Sequence, residues 1–218
     1  MMKARIVSAV LATALLAALP ALDLQAQARP AASATQGAGA TVMATSTRLI
    51  DTLQTRRAEF RANPAALRQF VDSELNRSFD RDYAARLVLG RHARGASDAQ
   101  IKLFADAMAD NLMARYGTAL LEIDGKPTFR LKGESPLPGN RGVKVSTDLT
   151  RRGTDATPVE YLMRQVNGQW KIFDVMIEGI SYVQTFKNQF DAPLAQKGIE
   201  QVARELRSGQ IKAGGNAR

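Results

Sequence analysis

Two carboxylates and a serine near the only tryptophan of the chain are residue types that could do acid, base or nucleophilic chemistry: Asp174, Glu178 and Ser181. Two carboxyl groups can hydrolyse a glycosidic bond when they lie about 5 to 9.5 Å apart. The alternation of residues 170–178 predicts a β-strand, in which Asp174 and Glu178 would share a face about 13 Å apart. The spacing therefore disfavours a carboxylate pair. It favours contact of Asp174 with Tyr161 or a basic group across the sheet, with Glu178 capping or pairing at the next helix start.

Ser181 lies in the segment Gly179-Ile180-Ser181-Tyr182-Val183, which resembles the nucleophile elbow Gly-x-Ser-x-Gly except that Val183 replaces the second glycine. A serine at the start of a helix is more typical of an N-cap. The single histidine, His92, lies between two arginines in a segment predicted to be a loop, which is typical of a solvated side chain. The sequence therefore predicts no catalytic residues, and a hydrolase that uses these side chains is kept as an alternative.

The composition leaves few ways to bind a metal or a cofactor. The 218 residues include one histidine and no cysteine, so a metal site would need oxygen ligands alone, and no EF-hand loop is present in the sequence. The sequence also lacks a phosphate-binding glycine loop. We expect neither a metal nor a cofactor.

The N-terminus predicts export. Basic residues among the first five are followed by an apolar run over residues 6–19 and by Ala26-Gln27-Ala28, a pattern typical of a secretory signal peptide spanning residues 1–28. The apolar run is shorter than the roughly 20 residues that cross a bilayer, so a soluble periplasmic protein is expected. The net charge is +9, but export and the scattered basic residues disfavour nucleic acid as a partner. An anionic membrane surface or an acidic protein fits the charge better, and a solvated surface fits it equally well.

The remaining chain predicts one α+β domain. Residues 29–41 are rich in Ala, Gly, Ser and Thr, which predicts a flexible leader. The domain spans residues 42–208 and begins with helices, because apolar residues recur at helical spacing up to Leu120. Asn63-Pro64 and the capping box at residues 97–100 mark two helix starts.

Beyond residue 120 the spacing changes from helical to alternating, which predicts a twisted antiparallel meander. Helix resumes after Ile180 and starts again near Asp191-Ala192-Pro193. Residues 209–218 are predicted to be a disordered tail. Helices at both ends would therefore pack on the sheet, with an apolar pocket between sheet and helices.

The dipeptide Asn167-Gly168 is the strongest strand signal, because it predicts a two-residue hairpin. Counting outward from the turn gives a register in which the opposed pairs are Val166–Gln169, Met163–Ile172, Leu162–Phe173 and Tyr161–Asp174. Both faces of this hairpin would then be substantially apolar, whereas a hairpin with one wet face is polar at alternate residues. We therefore expect both faces to be covered.

Several segments resemble the MlaC family, the toluene-tolerance phospholipid-binding proteins of the Gram-negative periplasm. They are residues 83–90 (YAARLVLG), the cap at residues 97–100, residues 112–120 around Tyr116-Gly117, residues 170–181 (WKIFDVMIEGIS) and Lys197-Gly198-Ile199. The motif Trp-x-x-x-Asp-x-x-x-Glu-Gly-x-Ser is the most specific part. The resemblance covers residues 42–206 and departs at His92-Ala93, where the family typically has aromatic residues.

This resemblance implies a monomeric carrier of diacyl glycerophospholipid that helps to maintain outer-membrane lipid asymmetry. Its partners would be an outer-membrane lipoprotein-porin complex and an inner-membrane ABC transporter complex with an MCE-domain protein. It implies no enzymatic step. A periplasmic interaction or scaffold domain without ligand is one alternative, and a hydrolase is another.

The expected acyl-chain pocket combines apolar positions of the helices with one face of the hairpin, and Lys144 is expected near the head group. The remaining pocket residues are expected to be Tyr83, Leu87, Met108, Leu112, Tyr116, Val145, Leu162, Phe173, Val175 and Ile177. Tyr161, Met163 and Ile172, on the other face of the hairpin, form the rival set.

Overall fold

A computed structural model describes residues 37–123 and 125–214. The expected signal peptide, residues 1–28, and most of the expected leader lie outside the described residues. Within the described residues, five helices precede the sheet: α1 (Ala38–Thr55), α2 (Arg57–Ala62), α3 (Pro64–Ser78), α4 (Arg81–Leu89) and α5 (Asp98–Tyr116). Helix α1 thus begins four residues before the expected start of the domain at residue 42.

The sheet is an antiparallel meander whose strands follow one another in space as they do in the chain. The strands are β1 (Thr128–Pro136), β2 (Val143–Thr150), β3 (Thr157–Val166), β4 (Gln169–Ile177) and β5 (Ile180–Ser181), and α6 (Tyr182–Arg207) follows. Short 3-10 turns span Gly90–Ala93, Thr118–Glu122 and Pro138–Asn140. This order confirms the expected α+β class, with helices before and after an antiparallel sheet.

Local sequence signals set most of the helix starts. The Asn63 side chain accepts a hydrogen bond from the backbone N–H of Ala66, and Pro64 takes the first helical position of α3. Ser97 and Gln100 form both bonds of a capping box at α5. The expected restart near Pro193 is wrong, because α6 runs through that residue and its backbone departs from helical geometry at Gly198 instead.

The hairpin of β3 and β4 confirms the turn but not the whole register. Asn167 and Gly168 both have positive φ, as a type I′ turn requires, and Val166 lies opposite Gln169. Met163 also lies opposite Ile172, as expected, but the register then shifts by one residue. Phe173 is the extra residue of a β-bulge in β4.

Beyond the bulge, Asp174 rather than Phe173 lies opposite Leu162, and Val175 rather than Asp174 lies opposite Tyr161. Directly opposed residues share a face of the sheet. The bulge therefore moves Val175 onto the face that carries Tyr161, and moves Asp174 onto the face of Leu162.

The expectation of two apolar faces is consequently wrong. The inner face, which α1 covers, carries Val145, Tyr161, Met163, Ile172 and Val175. The opposite, outer face carries Lys144, Glu160 and Leu162, and also Asp174, whose carboxylate contacts the start of α6. On the outer face Lys144 Nζ lies 2.8 Å from Glu160 Oε1. The hydrogen bond from this ammonium holds the pKa of Glu160 below its usual range, although burial opposes the shift.

Helix α1 covers one part of the inner face. Ala38 and Val42 pack there against Val145, Met163 and Ile172. Two further clusters join helices to one another: one lies between α4, α5 and α6 around Phe104 and Phe190, and another lies around Phe60, Leu67 and Leu53. In the described part of the chain, no helix is long and apolar enough to span a bilayer.

The segment after α6 packs on the helices up to Gly214, where the sequence predicts a disordered tail. Ala213 is fully buried, and its N–H donates to Asn111 Oδ1 at 2.8 Å. The partner of this segment lies about a hundred residues earlier in the chain, so its own Ala- and Gly-rich composition does not reveal the contact.

The face assignment predicts different stabilities for two neighbouring truncations. Met163→Ala removes a fully buried side chain of the inner face and should lower the free energy of unfolding by roughly 2 to 5 kcal/mol. Leu162→Ala removes a half-buried side chain of the outer face and should cost about 1 kcal/mol. Urea unfolding of both variants measures the difference, and equal losses would contradict the assignment.

Candidate functional site

A cavity of about 400 Å³ lies between β4 and the helices α3 to α6. Its walls are almost wholly apolar. The side chains that line it come from four helices, from β4 and from short connecting segments: Val71, Leu75, Phe79, Arg81, Ala84, Val88, Ala105, Met108, Ala109, Leu112, Met113, Tyr116, Gly117, Leu120, Phe173, Asp174, Val175, Ile177, Tyr182, Val183 and Phe186.

The structure brings six of the eleven expected residues to this cavity: Met108, Leu112, Tyr116, Phe173, Val175 and Ile177. The first three lie on α5 and the others on β4. Because the bulge places Val175 on the inner face, the part of β4 that follows Ile172 forms a continuous wall of the cavity. The other five expected residues, Tyr83, Leu87, Lys144, Val145 and Leu162, lie elsewhere.

Helix α4 meets the cavity through a neighbouring stripe. Ala84 and Val88 line the cavity in place of Tyr83 and Leu87. The Tyr83 ring lies behind the wall, in an edge-to-face contact with Phe173 at 5.2 Å between ring centroids. Tyr83 therefore supports a lining residue, and Leu87 is half-buried outside the lining.

The remaining misplaced residues belong to the sheet. Val145 is fully buried under α1, and Leu162 and Lys144 lie on the outer face. The expectation that Lys144 holds a head group at this cavity is wrong, because the ammonium pairs with Glu160 on the opposite face.

The rival set does not line the cavity either. Met163 and Ile172 are core residues beneath α1. Burial raises the pKa of the Tyr161 phenol, although the neighbouring hydroxyls of Ser46 and Thr147 oppose the shift. These three side chains fill the inner face next to the cavity.

Sequence reasoning missed the contribution of α3 and α6. Val71, Leu75 and Phe79 form one side of the cavity, and Val183 and Phe186 form another. An apolar stripe through Val71 and Leu75 is visible in the sequence, but helical spacing does not distinguish a cavity wall from a filled core.

Asp174 and Ser181 hold the start of α6 against the end of β4. Ser181 Oγ donates to Asp174 Oδ2 at 2.6 Å and accepts from the N–H of Gln184 at 3.0 Å, so Ser181 is the N-cap that the sequence predicts. Asp174 Oδ1 accepts from the N–H of Val183 at 3.0 Å. A carboxylate at a helix N-terminus satisfies free N–H groups and interacts favourably with the helix dipole.

The two carboxylates, Asp174 and Glu178, lie in different surroundings. The expected partner of Asp174, Tyr161 or a basic group, is wrong, because the carboxylate contacts Ser181 and the α6 backbone. Glu178 lies exposed in the two-residue turn between β4 and β5, where its φ is 50°. Among residues 37–123 and 125–214, no group of three or more His, Asp or Glu side chains could hold a metal ion.

His92 lies away from Ser181. Its Nε2 atom is 3.0 Å from Asp191 Oδ1. Asp191 follows Ser181 by ten residues along α6, which corresponds to roughly 15 Å along the helix axis. A base at that position is far beyond hydrogen-bonding distance of the Ser181 hydroxyl, so the geometry opposes a serine–histidine pair.

Arg81 is the one basic residue among the described residues that line the cavity. Its guanidinium lies 3.0 Å from Asp106 Oδ1 and donates to Asn76 Oδ1 at 2.9 Å. Arg81 and Phe79 also border a second, polar hollow of about 250 Å³. The polar side chains around this hollow are Asn76, Asp80, Asp82, Lys102, Asp106 and Lys171.

An antiparallel sheet packed against helices, with an apolar cavity between them and with its polar groups committed to caps and ion pairs, defines a class of binding proteins suited to apolar or amphipathic ligands. The family model described as MlaC protein matches residues 43–208. The chain therefore belongs to the MlaC family.

Relatives and a solved structure agree with this assignment. The toluene tolerance protein ttg2D of Pseudomonas putida is 26% identical over 160 residues, 72% of this chain and 73% of the relative. The intermembrane phospholipid transport system binding protein MlaC of Haemophilus influenzae is 22% identical over 156 residues, 70% of this chain and 72% of the relative. A phospholipid-binding protein from Ralstonia solanacearum, solved in complex with a phospholipid, has a TM-score of 0.69 at 22% identity, over 79% of this chain and 97% of that one. This last similarity supports the fold.

The capping role predicts the effect of removing the Ser181 hydroxyl. Ser181→Ala should lower the free energy of unfolding by about 1 kcal/mol, because the N–H of Gln184 loses its acceptor. The control is Ser73→Ala in α3, an exposed serine inside a helix, which should change stability by less than about 0.5 kcal/mol. Thermal or urea unfolding measures both, and an unchanged Ser181→Ala protein would contradict the cap.

Proposed function

We propose that this protein binds a glycerophospholipid in the apolar cavity and carries it through the periplasm. The observation that supports the proposal is the lining of the cavity. Among the described residues that line it, the only charged side chains are those of Arg81 and Asp174, and Asp174 is committed to the cap of α6. Such a lining offers apolar contact and almost no polar chemistry.

The transport problem is one of free energy. A diacyl lipid has on the order of 30 methylene groups, and exposing each to water costs about 0.8 kcal/mol. The total of roughly 24 kcal/mol opposes passage of the free lipid between membranes. A protein that shelters most of the chains lowers this cost without any covalent step, and must bind weakly enough to release its cargo.

Flexible side chains suit the cavity to acyl chains of different lengths. Met108 and Met113 line one wall, and unbranched thioether side chains adapt to irregular shapes. The volume of about 400 Å³ is within the range of roughly 300 to 1,000 Å³ that is common for ligand sites.

The phosphate of the head group would lie at the Arg81 end of the cavity. Arg81 reaches both the apolar cavity and the polar hollow, where Lys102 and Lys171 add positive charge and Asp80, Asp82 and Asp106 add negative charge. Lys171 Nζ contacts the backbone carbonyls of Asn76 and Arg77. A phosphate can take the place of these carbonyls, because the bond between a phosphate oxygen and the Lys171 ammonium is charge-assisted and stronger.

The names of the relatives support a role in transport between membranes. One is the binding protein of an intermembrane phospholipid transport system, and another is a toluene tolerance protein. For this chain we propose exchange of lipid with an outer-membrane lipoprotein-porin complex and with an inner-membrane ABC transporter complex that contains an MCE-domain protein. Such exchange would maintain the lipid asymmetry of the outer membrane.

Lipid analysis of the purified protein tests the proposal. Protein from the periplasm should release close to one equivalent of phospholipid into organic solvent, as identified by mass spectrometry. Ala109→Trp fills the cavity and should reduce the bound lipid at least severalfold, whereas Ala114→Trp on the exposed side of the same helix should leave it unchanged.

Two results would contradict lipid carriage. A wild-type protein that is empty but fully stable would indicate a scaffold domain with no ligand. A protein that released lysophospholipid and free fatty acid, and lost this activity in Ser181→Ala, would indicate a hydrolase.

Neutralisation of Arg81 tests the position of the head group. Arg81→Gln should weaken binding of a phospholipid several-fold. The substitution removes one charge-assisted hydrogen bond to the phosphate, which is worth about 1.5 to 3 kcal/mol. Lys102 and Lys171 should compensate part of this loss. The matched control is Arg94→Gln in an exposed segment. Titration with a fluorescent phospholipid measures both affinities. Equal affinities would place the head group elsewhere, for example at the exposed rim formed by Tyr116 and Tyr182.

A further inference from the structure

The segment after α6 crosses the outside of two cavity walls. Residues 208–214, here called the C-terminal strap, lie against α5 and α6, and Ala213 is fully buried in the helical core. Helix α5 supplies Met108, Leu112 and Tyr116 to the cavity, and α6 supplies Val183 and Phe186. The strap therefore joins two cavity walls whose helices, α5 and α6, are separated in the sequence by the whole sheet.

Asn111 of α5 provides the main attachment. Its side-chain amide donates to the carbonyl of Leu206 at 2.6 Å and to that of Ile211 at 2.9 Å, and its Oδ1 accepts from the N–H of Ala213 at 2.8 Å. Asn111 is itself buried. A buried amide is costly unless its hydrogen bonds are made, and here all of them go to the strap or to the end of α6 that leads into it.

Gln189 of α6 provides a second attachment from the other side. Its amide donates to the carbonyl of Lys212 at 2.6 Å and accepts from the N–H of Gly214 at 3.1 Å. Two side-chain amides on two helices thus hold the backbone of one short segment.

The strap reaches the cavity at its aromatic end. The Tyr116 hydroxyl donates to the carbonyl of Gly214 at 3.2 Å, and Gly214 packs beside the rings of Tyr116 and Phe186. Both rings line the cavity. Elsewhere α5 and α6 touch directly, at the edge-to-face pair Phe104–Phe190, but at this end the cavity lies between them.

We propose that Asn111 and Gln189 are positioning residues which, through the C-terminal strap, fix the separation of α5 and α6 and thereby limit the rate at which a bound ligand leaves the cavity. Neither side chain touches the cavity. The ligand in this inference is the phospholipid of the proposed function, on which the inference rests. Release of the strap would let the Tyr116 and Phe186 walls separate without changing the lining.

Variants that detach the strap test this inference. A chain ending at Gly209 removes residues 210–214 of the strap, which make its bonds to Asn111 and Gln189. Asn111→Asp places a carboxylate oxygen against the carbonyls of Leu206 and Ile211. Both should accelerate transfer of a fluorescent phosphatidylethanolamine from the protein to acceptor vesicles by about tenfold or more, since several hydrogen bonds are lost together. The number of lipids bound per protein at saturation should stay unchanged.

A matched pair of substitutions on α6 controls for charge and for global stability. Gln189→Glu should accelerate transfer because it loses the donor to Lys212, whereas Gln184→Glu, whose side chain bonds only to Asn188, should transfer at the wild-type rate. Urea unfolding of all variants separates faster release from partial unfolding.

Hydrogen exchange distinguishes failure of this inference from failure of lipid binding. Amides of residues 111–117 and 182–189 should exchange faster in the strap variants even if no lipid is bound. Unchanged exchange together with an unchanged transfer rate in the truncated protein would overturn the inference. If wild-type protein binds no lipid but exchange responds as expected, the proposed function fails while the coupling of strap and helices stands.

Discussion

The extra residue at Phe173 determines which side chains of β4 meet the helices. Without it, strict alternation from Ile172 would place Val175 on the outer face beside Lys144 and Glu160. The bulge instead keeps Ile172 and Val175 on one face. The apolar surface of β4 therefore extends beyond the part of the sheet that α1 covers. A β-bulge can re-aim side chains in this way at the cost of one unpaired residue. The cavity depends on this irregularity, because Val175 and Ile177 both line it.

The same irregularity explains how α6 is attached. It brings Asp174 to the face where Ser181 pairs in register with Met176, and the Asp174 carboxylate then caps α6 together with the Ser181 hydroxyl. Helix α6 therefore leaves the sheet at a fixed position, with Val183 and Phe186 directed to the cavity. Polar residues that resemble catalytic groups in the sequence are thus structural. Because Asp174 and Ser181 bond to backbone N–H groups of α6, the neighbouring walls of the cavity stay apolar.

Sequence reasoning succeeded where the signal is local and failed where it depends on a distant partner. The capping box at Ser97 and the turn at Asn167-Gly168 involve residues within a few positions of one another, and both were predictable. The bulge at Phe173 has no local signal, because the register of a strand is fixed by what its neighbours need to bury. The strap was missed for a similar reason, since Asn111 bonds to residues about a hundred positions away.

Val145 and Val175 show why the cavity itself could not be predicted residue by residue. They occupy the same face, each opposite Tyr161 on one side of β3, yet Val145 is fully buried beside α1 whereas Val175 is half-buried and lines the cavity. Hydrophobic periodicity predicts that both are turned from water, but not whether protein atoms cover them. Apolar walls that face an empty volume lack the dispersion contacts of a packed core. An apolar ligand that supplied those contacts would stabilise the folded state by its own binding free energy.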